Sequence, residues 1–250
     1  MGMDIIWFES IDSTNKEELR RIDDVNDSTV LAAEYQTAGR GQKGTSWESA
    51  PGKNLTFSLI LKPDMVKAEN QFIISQIAAV AVAEYLRDKS LDVTIKWPND
   101  IYVGNKKIAG ILIENFIEGD RLSASIVGIG ININQVSFDS DAPNPVSLRQ
   151  ITNREYDLKE EMEKLAGIFY DIYYPFKTTG SGNLTEIVSN NYHNSLYRLE
   201  EFHRFQETPS GEIFEGRIVG TDSNACLKIE KRDGTLLSYA FKEIKYLDIK

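Results

Sequence analysis

A glycine-rich segment between two apolar stretches constrains the fold of this chain more than any other feature. Gly39, Gly41 and Gly44 fall within six residues, and the apolar stretches 29–35 and 55–61 predict a buried strand on either side. Glycine adopts positive φ at little cost and lets a ligand approach the backbone, while successive amides can surround an anion. The segment therefore predicts a loop between two strands, serving either as an ordinary turn or as a ligand-binding loop.

Positive charge and an aromatic ring accompany these glycines. Arg40 and Lys43 lie within the segment and Trp47 closes it. The protein as a whole has a net charge of −10, so its surface should repel the phosphates of nucleic acids. A local basic pocket on an acidic body favours a small phosphate-bearing ligand over DNA.

The chain of 250 residues is long enough to bury a core, in one domain or in one domain plus a small module. Its single cysteine, Cys226, excludes a disulfide framework within the chain and fits a reducing compartment. No apolar run is long enough to span a membrane, and the apolar segment 4–8 starts without a basic leader. We therefore expect a cytoplasmic protein that does not associate with membranes.

The N-terminal part predicts a strand over 4–9 followed by a helix. Ser13 or Thr14 would cap this helix, and Glu17 would complete a capping box. A cap is the simpler interpretation of the segment 13–15. The alternative is that its two hydroxyls and the Asn15 amide also face a ligand.

Asn70 is predicted to open a longer helix with a wide apolar face, which implies packing against a sheet. The apolar positions recur at helical spacing: Ile73, Ile74, Ile77, Ala78, Ala81, Val82 and Tyr85.

A predicted strand over 93–95 leads into the segment Lys-Trp-Pro-Asn-Asp at 96–100. Pro98 lacks an N–H, so the hydrogen-bond ladder should end there, and the next two residues favour a turn. Gly104-Asn105 predicts a type II′ hairpin. Lys107 then opens an apolar strand, where a lysine either extends to solvent or meets an anion beside Gly110.

Residues 122–133 predict a strand with two unlike faces. Gly128, Gly130 and Asn132 share one face, while the other face carries branched apolar side chains. Two glycines on one face indicate that something packs closely there, either a ligand or a helix.

The C-terminal part changes in character. An amphipathic helix runs through 158–173, and a shorter helix continues over 184–191. Short strands are predicted at 213–219, 225–230 and 236–241. These strands suggest a small β-barrel module of about 50 residues, which would need to pack against the rest of the chain to be stable.

Four of these stretches, in this order, resemble the biotin protein ligase family: 13–15, 39–47, 96–112 and 128–132. The resemblance implies an α+β fold, with a mixed β-sheet packed with helices in a class II synthetase-like catalytic domain. That domain would cover residues 1–197, with the sheet's helices on one side, and an SH3-like β-barrel would cover 198–250. The family's N-terminal DNA-binding domain is expected to be absent, because the catalytic region begins by Trp7.

The resemblance also implies a reaction. The carboxylate of biotin would attack the α-phosphate of ATP to give biotinyl-5′-AMP and pyrophosphate, with Mg²⁺ bridging phosphate oxygens. A lysine of a biotin carboxyl carrier domain would then take the biotinyl group and release AMP. The expected cofactors are ATP and Mg²⁺, with no protein ligand of the metal indicated. The expected partners are biotin and the carrier domain, with no DNA and no membrane, and a homodimer is also considered.

Site residues follow from the same resemblance. Lys107 would be the main electrostatic catalyst, Arg40 would organise the loop over the reacting atoms, and Asp100 would accept the proton of the incoming lysine. Biotin contacts are expected from Ser13, Thr14, Asn15, Gln36, Gly39, Arg40, Gly41, Gln42, Lys107 and Gly110. Nucleotide contacts are expected from Arg40, Trp47 (by stacking near the adenine), Asn99, Lys107 and Asn132.

One departure from the family pattern concerns Gln42, where many members have a second basic residue. A neutral amide loses one contact to the phosphate of the adenylate. We expect either weaker retention of biotinyl-AMP or compensation by Lys43.

Three classes of alternative are weighed: related lipoate and octanoyl enzymes, a repressor or inactive sensor, and a globular protein whose loops bind no ligand, which would require four coincidences in the right order. A lipoate ligase shares the expected fold, whereas an octanoyl transferase needs a cysteine in the site and Cys226 lies in the C-terminal module. A non-catalytic biotin or nucleotide sensor would bind without turnover. A DNA-binding repressor is disfavoured by the acidic charge.

Overall fold

The computed structural model describes residues 3–42, 45–139, 144–179 and 182–248. Its larger sheet has seven strands in the order β1-β2-β3-β7-β6-β5-β4. Strands β1 and β2 are parallel, and the other neighbouring pairs are antiparallel, so the sheet is mixed as predicted. The strands are β1 (Asp4–Ile11), β2 (Thr29–Gln36), β3 (Leu55–Leu61), β4 (Val93–Lys96), β5 (Asp100–Val103), β6 (Lys106–Glu118) and β7 (Arg121–Ile131).

Helices cover both faces of this sheet. They are α1 (Thr14–Arg20), α2 (Phe72–Arg87), α3 (Leu148–Thr152), α4 (Leu158–Thr179) and α5 (Gly182–Asn194). The predicted apolar positions of α2 are all buried in the main core together with the branched side chains of β7. The helix begins two residues later than expected, because a 3₁₀ turn over Ala68–Asn70 precedes it.

The expectation that all helices lie on one side of the sheet is wrong for α1. Ser58 lies 2.7 Å from Thr14 Oγ1 and 2.7 Å from Asn15 Oδ1, so the first turn of α1 contacts the face opposite the apolar core. Asn15 also fills the space beside Gly128. The close packing predicted for the glycine-bearing face of β7 is therefore supplied in part by a helix.

The predicted capping box of α1 is also wrong. Ser13 is the N-cap residue, but its side chain makes no capping hydrogen bond. Glu17 pairs with Arg20 at 2.9 Å and with Arg21 at 2.6 Å. Thr14 donates its backbone N–H to Gln36 Oε1 at 2.8 Å. In a capping box with Thr14 as the cap, this N–H would have been bound by Glu17, so a tertiary contact replaces the local one.

A second, antiparallel sheet follows, in the order β11-β10-β9-β8-β12. Its strands are β8 (Phe202–Glu207), β9 (Ile213–Thr221), β10 (Leu227–Lys231), β11 (Leu236–Tyr239) and β12 (Ile244–Tyr246). This confirms an all-β C-terminal sheet, while closure into an SH3-like barrel and the domain boundary between residues 197 and 198 stay predictions. Trp97 joins the two sheets, since its Nε1 donates to the Ala225 carbonyl at 2.9 Å.

Candidate active site

A cavity of about 1090 Å³ opens beside the glycine-bearing face of β7. Ligand pockets typically measure about 300–1,000 Å³, so there is room for two substrates side by side. Among the predicted site residues, those that line the cavity are Ser13, Thr14, Asn15, Gln36, Arg40, Gly41, Gln42, Trp47, Asn99, Asp100, Lys107, Gly110 and Asn132. Gly39 lies against the loop backbone instead, because a Cβ there would sit 2.8 Å from the Trp47 carbonyl oxygen.

A linked set of polar side chains lies at the cavity, and we call it the polar floor: Gln36, Thr14 and Asn15 line the cavity, and Ser58, outside the lining, connects Thr14 to Asn15. Gln36 Oε1 accepts from Thr14, whose hydroxyl lies beside Ser58, which in turn contacts Asn15. Thr14, Asn15 and Ser58 are buried. Such a linked set presents hydroxyl and amide groups in fixed orientations, which suits a small polar ring.

The glycine-rich loop folds over the cavity through Trp47. The indole ring lies on Gly130, where a Cβ would be 2.2 Å from Trp47 Cε2, and it also reaches Gly110. Trp47 Nε1 is buried, and no acceptor among the described residues pairs with it. The two glycines therefore make room for the ring that anchors the loop to the sheet. Lys43 and Gly44 lie outside the described residues.

Lys107 points into the same cavity. Its Nζ lies 2.6 Å from Asp100 Oδ1 and 5.7 Å from the centroid of the Trp47 ring. The Lys107 backbone is fixed by hydrogen bonds to Asn144 and Val146. The lysine is thus held on the sheet, with its amine between the loop and the carboxylate of Asp100.

Arg40 makes its bidentate contact with a residue that the sequence did not single out. Its two terminal nitrogens bind the two carboxylate oxygens of Glu114 at 3.2 and 3.1 Å. Glu114 lies on β6 and also accepts from Asn15 Nδ2 at 2.9 Å. The loop and the polar floor therefore share one carboxylate.

Two asparagines hold neighbouring backbone in place. Asn99 Nδ2 donates to the Ile111 carbonyl, and the Ile111 N–H donates back to the Asn99 carbonyl at 2.9 Å. Asn132 Nδ2 donates to the Val146 carbonyl at 3.1 Å. The Asn132 Oδ1 is buried and has no donor partner among the described residues.

Sequence reasoning missed several lining residues. Lys96 lies in the 96–100 segment but received no role, although its Nζ contacts the rings of Tyr102 and Tyr246 at 5.2 and 5.1 Å. Burial holds the pKa of the Lys96 ammonium below its usual range, opposed by the nearby Asp100 carboxylate. Strand β12 and the loops beside the second sheet also supply lining residues, for which no sequence signal existed: Thr208, Phe241, Lys242, Ile244, Lys245, Tyr246 and Leu247.

The helix that carries the polar floor contains a buried acid, and its titration gives a prediction. Burial raises the pKa of the Glu18 carboxyl from 4.5 to about 8, against smaller opposing effects of the Leu31 amide and Arg21. The unfolded chain loses this proton near pH 4.5 while the folded protein keeps it to about pH 8, so stability falls as the pH rises across that window. We expect Glu18→Gln to remove this fall and to stabilise the protein at pH 8 by on the order of a few kcal/mol.

Urea unfolding of both proteins at pH 5 and pH 8 measures the effect of Glu18. An equal loss of stability in the parent and in Glu18→Gln would contradict the assignment of the proton to this side chain.

The described parts of the chain contain no group of three or more His, Cys, Asp or Glu side chains arranged to hold a metal ion. None of the helices formed by these residues is long and apolar enough to cross a membrane.

The fold is that of a ligase catalytic domain with a C-terminal sheet. The model of the biotin/lipoate A/B protein ligase family matches residues 7–132, which include the polar floor, the glycine-rich loop, Lys107 and the glycine-bearing face of β7. The chain belongs to this family.

Two relatives with assigned names are consistent with this family. The chain is 31% identical over 248 residues to the bifunctional ligase/repressor BirA of Bacillus spizizenii, covering 96% of this chain and 73% of the relative. It is 33% identical over 168 residues to the biotin–[acetyl-CoA-carboxylase] ligase of Paracoccus denitrificans, covering 63% of this chain and 68% of the relative.

Solved structures show the same fold. The biotin protein ligase of Aquifex aeolicus in complex with biotin and ATP superposes with a TM-score of 0.77 at 28% identity, covering 97% of both chains. The biotin protein ligase of Leishmania major in complex with biotin superposes with a TM-score of 0.65 at 25% identity, covering 95% of this chain and 98% of the other.

Proposed function

We propose that this protein is a biotin protein ligase, which activates biotin with ATP and transfers it to a lysine of a carrier domain. One observation carries the proposal: the Lys107 amine lies between the glycine-rich loop and Asp100, in a cavity that the polar floor also lines. A cation at this position can neutralise a carboxylate and a phosphate at the same time. The names of the relatives and of the solved structures support biotin as the carboxylate.

Biotin binds at the polar floor in this proposal. Thr14, Asn15 and Gln36 present hydroxyl and amide groups, and Ser13 is buried beside them. These groups can donate to the oxygen and accept from the N–H groups of the ureido ring. Gly110 lets the Trp47 ring and the Lys107 side chain lie close to β6, since a Cβ there would come within 3.0–3.2 Å of both. The carboxylate of biotin then meets the Lys107 amine.

Adenylation brings two anions together, so the site has to supply positive charge as the reaction proceeds. One carboxylate oxygen of biotin forms a bond to the α-phosphorus of ATP, and the bond from that phosphorus to the pyrophosphate oxygen breaks. Lys107 neutralises the oxygens between the two reactants, and Arg40 supplies a second cation from the loop. Trp47 and Asn132 line the cavity and are assigned to the nucleotide, and Asn99 fixes the adjacent turn.

Transfer then requires a base. When Lys107 turns to the phosphate of the adenylate, its partner Asp100 becomes available to take a proton from the ammonium of the incoming lysine. The neutral amine attacks the activated carbonyl, and the amide bond forms as the nitrogen loses its second proton to solvent. AMP leaves with the electron pair of the broken C–O bond. Asp100 is thereby assigned the role of general base.

Mg²⁺ would enter bound to the phosphates of ATP. This ion usually keeps several waters and takes only one or two protein carboxylates, so a dedicated protein cage is not required. Glu48 and Asp139 line the cavity and are of the donor type that Mg²⁺ prefers. When bound, the ion would neutralise the developing charge on the phosphate oxygens.

The acceptor is proposed to be a biotin carboxyl carrier domain, and the protein is proposed to act in the cytoplasm. A homodimer is also proposed, because β1 is an edge strand of the seven-stranded sheet. Light scattering in solution tests the dimer.

Incubation with biotin, ATP, Mg²⁺ and a carrier domain tests the proposed function. We expect the mass of the acceptor to rise by one biotinyl group, and lipoate in place of biotin to give no product. Lipoylation without biotinylation would assign the protein to the other branch of the family. Binding of biotin and ATP without any product would indicate a sensor.

Gln42 gives a prediction about the retention of the intermediate. Gln42 lines the cavity, and an arginine there would add a cation near the phosphate of the adenylate. We expect Gln42→Arg to slow the release of biotinyl-AMP by roughly 10- to 150-fold, since one charge-assisted hydrogen bond is worth about 1.5–3 kcal/mol. Filter binding of labelled adenylate measures the rate, and an unchanged release rate would show that this position does not contact the phosphate.

A further inference from the structure

We infer that Glu114 is a positioning residue that aims Arg40 at the reacting phosphate and ties the glycine-rich loop to the biotin end of the cavity. This role rests on the proposed function. The inference comes from a single carboxylate that contacts both the loop and the polar floor.

The first contact is a charged fork. Arg40 and Glu114 are 74 residues apart in sequence, yet both terminal nitrogens of the guanidinium meet the two carboxylate oxygens at 3.2 and 3.1 Å. A planar fork of this kind fixes direction as well as distance. The fork uses one N–H of each terminal nitrogen, so the remaining N–H groups of Arg40 stay free to bind a phosphate.

The fork differs from the backbone hydrogen bonds within the loop. The backbone N–H of Trp47 donates to the Gly39 carbonyl, and the backbone N–H of Gly41 donates to the Thr45 carbonyl, so these two hydrogen bonds stay within the loop. The Arg40–Glu114 pair joins the loop to β6, the strand that also carries Lys107. Glu114 therefore sets the position of one catalytic cation relative to the other.

The second contact leads to the polar floor. Asn15 Nδ2 donates to Glu114 Oε2 at 2.9 Å, and Asn15 Oδ1 lies 2.7 Å from Ser58 Oγ. Asn15 and Ser58 are buried, whereas the Arg40 and Glu114 side chains are 41% and 32% exposed. The path thus runs from a rigid interior to a loop side chain that can adjust when ligand arrives. Through these contacts, binding of biotin at the polar floor is expected to change the orientation of the Arg40 guanidinium.

Glu114→Gln separates the two contacts. Glutamine keeps the length of the side chain and an oxygen that can accept from Asn15, but it loses the charge that holds the Arg40 fork. We expect the rate of adenylation to fall about tenfold, less than the roughly 10²–10³-fold that follows loss of a direct transition-state donor. The dissociation constant for biotin should stay within about twofold, because the polar floor is intact. In an Arg40→Ala background, Glu114→Gln should have little further effect.

Glu118→Gln is the matched control, because Glu118 lies on the same strand, is exposed, and pairs in register with Arg121. It should leave adenylation unchanged. Independent effects of Glu114→Gln and Arg40→Ala would overturn the inference. So would an equal loss of biotin binding and adenylation with a lowered melting temperature, since that pattern indicates a merely structural role.

Hydrogen exchange without any ligand separates this inference from the proposed function. The backbone amides of residues 37–42 should exchange faster in Glu114→Gln than in the parent and in Glu118→Gln. Unchanged exchange in Glu114→Gln would overturn the positioning role. A parent protein that adenylates no biotin would remove the proposed function, while the exchange result would still decide whether Glu114 holds the loop.

Discussion

Lys107→Ala is expected to slow biotin-dependent adenylation by roughly 10²–10³-fold, the usual cost of removing one preorganised group that stabilises developing charge. The amine lies 2.6 Å from Asp100 and beneath the loop, where a carboxylate and a phosphate would have to approach each other. The fold should survive, because the backbone of Lys107 makes the contacts that brace β6 and alanine keeps that backbone. Exchange of labelled pyrophosphate into ATP, measured together with the melting temperature, separates the two effects.

Lys106→Ala is the matched control. Lys106 is the preceding residue on β6, so its side chain points to the opposite face of the sheet, and it is exposed. Its removal changes the net charge by the same amount as the loss of Lys107. Equal activity of the two variants would contradict a specific role for Lys107, as would a Lys107→Ala protein whose activity stays within a few-fold of the parent.

Gly130→Ala is expected to lower kcat/KM for biotin by about a hundredfold, which is the order of loss that follows a 1 Å displacement of catalytic groups. A Cβ at this position would lie 2.2 Å from Cε2 and 2.6 Å from Nε1 of the Trp47 ring, so the ring has to leave its place on the sheet. The loop that carries Arg40 would move with it. Steady-state kinetics with varied biotin measure the loss.

Gly167→Ala provides the comparison for a glycine without close neighbours. Gly167 lies within α4, and a Cβ there would meet no atom within 4 Å. Alanine in a helix should stabilise the protein by about 0.5–1 kcal/mol and leave activity unchanged. If Gly130→Ala proved as active as Gly167→Ala, the contact between Trp47 and β7 would not order the site.

The sequence predicted which side chains share a face of a strand or helix, and where a glycine lets a neighbouring group pack closely. The unlike faces of β7 predicted something packed against Gly128 and Gly130, and the structure places Asn15 and Trp47 there. The apolar spacing of α2 predicted its buried side. Both inferences rest on the spacing of side chains along one strand or one helix. This spacing can be found in the sequence without knowing which other elements pack there.

Contacts between distant parts of the chain were not readable in this way. Glu17 has the spacing of a capping residue, but it binds Arg20 and Arg21 instead. Glu114 looks like an ordinary exposed acid in a strand, and only the fold brings it to Arg40. The lining contributed by the second sheet likewise depends on how that sheet docks, which no local pattern encodes.

The central claim is that one cavity, with Lys107 between the glycine-rich loop and Asp100, activates biotin with ATP. Exchange of labelled pyrophosphate into ATP by the parent protein tests it most directly, because exchange reports the adenylation step without a carrier domain. We expect exchange that requires biotin and Mg²⁺ and that nearly disappears in Lys107→Ala. Absence of biotin-dependent exchange in the folded parent, or exchange at the parent rate in Lys107→Ala, would contradict it.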